Sequence, residues 1–68
     1  MKPFEVYEGL KVVVSDADDA TVYTVNRRHP KHKNIFFLSY KSSNGTILSA
    51  GEMDASIMRL PTIQQLAN

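Results

Sequence analysis

Residues 35–50, IFFLSYKSSNGTILSA, carry the strongest local folding signal in the chain. Residues 35–40 are apolar and aromatic, residues 46–50 are apolar again, and Ser42-Ser43-Asn44-Gly45 separates them. Asn and Gly tolerate the positive φ that tight reversals need, so Asn44-Gly45 between two such runs predicts a β-hairpin. Alternation along the first arm sends Phe36 and Leu38 to one side and Phe37 to the other.

On the N-terminal side, β-branched and aromatic residues fill residues 21–26 (TVYTVN) and residues 10–14 (LKVVV), and both predict strands. The polar SDADDA between them, residues 15–20, is a loop whose Asp side chains bond their own backbone. Residues 4–7 predict a short strand or an ordered arm. On the other side of the hairpin, Gly51 is expected to break the fourth strand. Residues 52–56 have room for one 3₁₀ turn, and residues 57–60 (IMRL) predict a short fifth strand that Pro61 ends. Thr62 with Gln65 three residues later has the capping-box pattern. It predicts at most a single terminal turn through Leu66, expected to fray.

A flat sheet of five short strands would leave two open edges and an uncovered face; closing it into a small barrel removes both. The expected fold is therefore all-β, a five-stranded small barrel with a 3₁₀ turn before the last strand. Its expected core is Leu10, Val12, Val14, Val22, Val25, Phe36, Leu38, Ile47, Leu48, Ile57 and Leu60. With 68 residues the chain is one domain. At this size about 60% of the unfolded surface is buried and stability is marginal. There is no cysteine, hence no disulfide and no thiolate ligand for a metal. No charged-then-apolar leader and no run long enough to cross a bilayer is seen, so a cytoplasmic protein without a membrane partner is expected.

These elements resemble the SH3-like small barrels, a group that includes Tudor and KOW modules and several short bacterial and phage proteins. The resemblance spans residues 9–61. It is carried by residues 9–14 (GLKVVV), residues 21–25 (TVYTV), the Ser43-Asn44-Gly45 turn, and residues 51–54 (GEMD) ahead of residues 57–60. It implies an SH3-like barrel that acts as a binding module. No site residue carries over. KOW modules place a glycine where this chain has SDADD, and Tudor cages and SH3 peptide grooves use a Trp that this chain lacks.

Charge is polarised along the chain. Residues 1–26 hold five acids against two bases, residues 27–33 (RRHPKHK) hold four cations and no acid, and the remainder balances. Pro30 keeps residues 27–33 out of a central strand, so they read as an exposed loop. Arg27, Arg28, Lys31 and Lys33 there are candidates for phosphate contact, and a solvated loop is the plainer alternative. His29 and His32 have ligand-like spacing, but two ligands do not close a metal site, and no metal is expected. Asp16, Asp18 and Asp19 lack the glycine and distant glutamate of a calcium loop. An outward Phe37 near Tyr23 would anchor a protein partner or stack on a base. There is no cysteine nucleophile, phosphate-binding glycine loop or nucleophile elbow, so no enzyme and no cofactor is expected. The leading expectation is an interaction module that binds a protein partner or self-associates through a strand edge or the Tyr23 and Phe37 surface. The alternative is nucleic-acid binding through the basic loop.

Overall fold

The computed structural model describes residues 1–67. Strands β1 (Lys11–Val12), β2 (Tyr23–Arg28), β3 (Ile35–Lys41) and β4 (Ile47–Asp54) form one antiparallel sheet in the order β1-β2-β3-β4. Two 3₁₀ turns, Pro3–Glu5 and Ala55–Ile57, and one short helix, α1 (Ile63–Ala67), are the other elements among the described residues. The fold is all-β with little helix, and each strand pairs with its neighbour in sequence. No helix among the described residues is long and apolar enough to cross a membrane.

The β3–β4 hairpin reverses at the expected place with a different turn. Ser42 N donates to Thr46 O at 2.8 Å, and Gly45 N donates to Ser42 O at 3.0 Å. Gly45 has φ 89°, while Asn44 keeps a negative φ. This is a type I turn followed by one left-handed residue, whereas a two-residue Asn44-Gly45 turn would need positive φ at Asn44. Asn44 works through its side chain instead: Oδ1 accepts from the Ser42 hydroxyl, and from Thr46 N at 3.2 Å.

Gly51 does not end β4. Leu38 pairs with Gly51 and Ser39 with Ser49, which leaves Ala50 as an extra residue. Gly51, at φ 78°, absorbs the distortion without a Cβ penalty, and the ladder resumes to Asp54. A second irregularity leaves Asn26 extra between the Val25–Leu38 and Arg27–Phe37 pairs. Beyond it β2 continues through Arg28, so Arg27 and Arg28 are strand residues and the loop begins later than expected. Only Pro30 forbids pairing, and it lies past the strand end.

The expected fifth strand contracts to one bridge. Val13 N donates to Arg59 O and Arg59 N to Val13 O, both at 2.9 Å, while Ile57 belongs to the preceding 3₁₀ turn. Residues 4–7 form no strand. Pro3 starts a 3₁₀ turn there, and the Met1 nitrogen donates to Ala55 O at 2.9 Å and Met58 O at 2.8 Å.

The core cluster is Val6, Leu10, Val12, Val25, Phe36, Leu38, Ala55 and Met58, and Val13 is buried as well. Five of the expected core residues are there: Leu10, Val12, Val25, Phe36 and Leu38. Val14 and Val22 are half-buried. Ile47, Leu48, Ile57 and Leu60 are exposed, contrary to expectation. Met58 takes the inward position of its short segment, which turns Ile57 out, and the first half of β4 lies at the sheet's open edge. Val13 is buried beside Val12 because the Arg59 segment covers the side that the sheet does not.

Gln65, 3% exposed, holds α1 in place. The capping box is formed: Thr62 Oγ1 accepts from Gln65 N at 3.1 Å, and Gln65 Oε1 accepts from Thr62 N at 2.9 Å. Gln65 Nε2 then donates to Ser15 O at 3.0 Å and Ala17 O at 2.9 Å. The expected fraying turn is thus a docked one, its side-chain amide bonded to the first loop.

Candidate interaction surface

Strand alternation sorts the candidate residues onto two faces. Phe36 and Leu38 face the core, and Tyr40 shares their parity on β3. Phe37 therefore belongs to the outer face, as its parity requires. Tyr23 packs against the core cluster, and its ring meets Tyr40 edge-on with centroids 5.9 Å apart. Tyr23 and Phe37 are consequently on opposite faces and form no shared platform.

Phe37 has other company. It pairs with Arg27 on β2 and Glu52 on β4, so the three form a cross-strand row. The Arg27 guanidinium lies 4.7 Å from the Phe37 ring centre, and the His29 ring stacks on Phe37 at 5.5 Å and 18°. Exposed cation–ring contacts of this kind contribute about 0.5–1 kcal/mol each. His29 Nδ1 accepts from Lys31 N at 3.0 Å, which assigns the proton of the neutral ring to Nε2, 3.7 Å from Glu52 Oε1. The half-buried Phe37 is thus covered by charged and polar neighbours and is not a free stacking surface.

The basic segment is divided by the pleat. Arg28 pairs with Phe36, and its guanidinium lies 5.4 Å from that ring, on the side opposite Arg27. Lys31 and Lys33, with His32, Asn34, Ile35 and Asp54, border an open cleft of about 560 Å³ at the end of the β2–β3 hairpin. All four cations are exposed, but an acid, Asp54, shares the cleft with the two lysines. His29 and His32 approach with ring centres 4.8 Å apart. Among the described residues no group of three or more His, Cys, Asp or Glu side chains is placed to hold a metal ion. Asp16, one of the loop acids, pairs with Arg59.

Asp54 caps the second 3₁₀ turn, its Oδ1 accepting from Ser56 N at 2.9 Å. The Ser56 amide first, and its hydroxyl second, hold the carboxyl below its ordinary value of 3.8. A depressed folded-state pKa contributes stability that is present above the unfolded value and lost as pH falls through the folded one. Stability measured by urea denaturation is therefore expected to decline below about pH 4, and the gap between the native chain and Asp54→Asn should narrow over the same range. A gap independent of pH would show that the charge on Asp54 adds nothing to the cap.

The least protected element is the outer edge of β4. This strand has eight residues, the longest in the sheet, and pairs only with β3. Ile47 and Leu48 are 65% and 40% exposed along it. At the other end of the sheet, β1 has only two residues, and the Arg59 bridge follows them. Glu52, Ile47 and Leu48 escape a sequence reading because nothing local marks which strand stands at an edge. The apolar run of residues 46–50 is equally compatible with a central strand. Compared with known protein families, curated proteins and solved structures, this chain matches none.

Proposed function

We propose that this chain is a non-catalytic interaction module that takes up an extended strand from a protein partner along the free edge of β4. One observation carries the reading: the longest strand is an edge strand with two large exposed apolar side chains. Unpaired edge N–H and C=O groups are a template for strand addition, and alternate side chains of the added strand then set specificity. The same reading takes the fold as an SH3-like small barrel. The reciprocal Val13–Arg59 hydrogen bonds support closure on the β1 side, leaving β4 as the open lip.

The second reading is nucleic-acid contact through Arg27, Arg28, Lys31 and Lys33, favoured by their shared exposure at one end of the β2–β3 hairpin. The split of Arg27 from Arg28 across the sheet weighs against a single binding groove. Both readings are tested by amide shift mapping with two probes, an extended peptide of alternating valine and lysine and a short single-stranded oligonucleotide. Edge pairing predicts that the peptide perturbs residues 47–54 and leaves residues 27–33 unchanged. Peptide-independent oligonucleotide binding that vanishes in Arg27→Ala/Arg28→Ala, with a silent β4, would replace the first reading by the second.

A further inference from the structure

Resting on the edge-pairing reading, we propose that the strand β4 takes up is β4 of a second copy. The two strands run antiparallel across a two-fold axis, with Ile47 opposite Asp54, Leu48 opposite Met53 and Ser49 opposite Glu52.

The register follows from the bulge. In a regular strand, residues 47 and 54 are an odd number apart and face opposite sides. The extra residue Ala50 resets the alternation. Ile47, Ser49, Glu52 and Asp54 pair with Lys41, Ser39, Phe37 and Ile35, which are the outer-face residues of β3. Leu48 and Met53 pair with Tyr40 and Phe36, on the core face. Each proposed pair therefore joins side chains of the same face, and the two irregular segments meet at the axis, where each compensates the other. Leu48 against Met53 continues the apolar side of the sheet across the axis. Ser49 against Glu52 continues the polar side.

Charge selects the direction. Both acids of β4, Glu52 and Asp54, lie in its second half. A parallel pairing in register would set each against itself, and like charges directly opposite are destabilising. The antiparallel pairing carries them to opposite ends. It also brings a cation within reach. Lys41 is opposite Ile47 on the outer face, so Asp54 of the second copy stands two strand spacings away, about 10 Å between backbones. That gap suits an extended lysine and an aspartate, and the symmetry provides it twice. A chain this small gains most from association because its own core is limited. Strand pairing of two such sheets gives one continuous antiparallel sheet with no β4 edge left open.

The absence of cysteine makes the test clean. Ser49→Cys/Glu52→Cys, two exposed positions, is expected to give a covalent dimer under mild oxidation. Ile47→Cys alone should not, because its counterpart lies six ladder steps along the edge, about 20 Å away. Light scattering of the unaltered chain should give twice 7.6 kDa, and Leu48→Lys should weaken association at least tenfold. Cross-linking of Ile47→Cys without cross-linking of the double variant would overturn the antiparallel register. A monomer that forms no cross-link yet takes up the valine–lysine peptide along β4 would overturn the second-copy proposal and leave edge pairing standing. A monomer that does neither would remove both.

Discussion

Phe36→Ala is expected to leave most of the chain unfolded at 25 °C. Phe36 is 2% exposed and sits in the central strand β3, between Arg28 on β2 and Met53 on β4. Truncating a buried Phe costs about 3–5 kcal/mol, the lost transfer energy plus the cavity left behind. A chain of this length has a total stability of only about 3–10 kcal/mol at the usual value per residue. The two ranges overlap, and a neighbour that collapses into the space would have to come from a core of nine apolar residues. Circular dichroism and urea titration at 25 °C would show the loss as a missing or nearly missing native baseline. A loss under about 1 kcal/mol would mean that Phe36 is not the wedge between β2 and β4 that its burial indicates.

Gln65→Ala is expected to release the C-terminal segment while the sheet persists. The substitution removes the side-chain arm of the capping box, in which Gln65 Oε1 accepts from Thr62 N, and both hydrogen bonds to the first loop, while the backbone N of residue 65 keeps its bond to Thr62 Oγ1. Each of the three lost side-chain hydrogen bonds costs about 0.5–1.5 kcal/mol. A helix of five residues has no stability of its own to fall back on. Amide exchange should therefore speed up for residues 15–17 and 62–67 by at least tenfold, with residues 35–41 unchanged. Gln65→Glu keeps the acceptor of the box but presents an anion to the Ser15 and Ala17 carbonyls, so it should release the loop as well. Uniform acceleration across the sheet would instead make Gln65 part of the global core.

Sheet formation and its middle were legible in the residues themselves. Alternation in β3 placed Phe36 and Leu38 inside, and Asn44-Gly45 placed the reversal, because both signals are local and strong. The turn's type was not legible, since Asn44 can contribute either a positive φ or a side-chain acceptor, and here it contributes the acceptor. Gly51 read as a stop because an isolated glycine marks a break or a bulge equally well. Only the resumed ladder from Glu52 to Asp54 distinguishes them. Arg27 and Arg28 read as a loop because of Pro30, yet a proline bars pairing only at its own position and β2 ends two residues before it. Local sequence marks Gln65 only through its capping spacing; its burial depends on the Ser15 and Ala17 carbonyls, far away in sequence. Parity alone turns Phe37 outward, but its neighbours are set by register. A single residue slip at Asn26 is what sets Arg27 rather than Asn26 against it.

The neighbour-to-neighbour order of the sheet bears on how the chain reaches this state. Pairing β2 with β3 and β3 with β4 closes only short loops, which is entropically cheap and fast. The clasp between Gln65 and Ser15 spans 50 residues, and the Val13–Arg59 bridge is comparably distant. These two closures belong late in folding. Weakening either should raise the rate at which the molecule comes apart and leave the rate of assembly almost untouched.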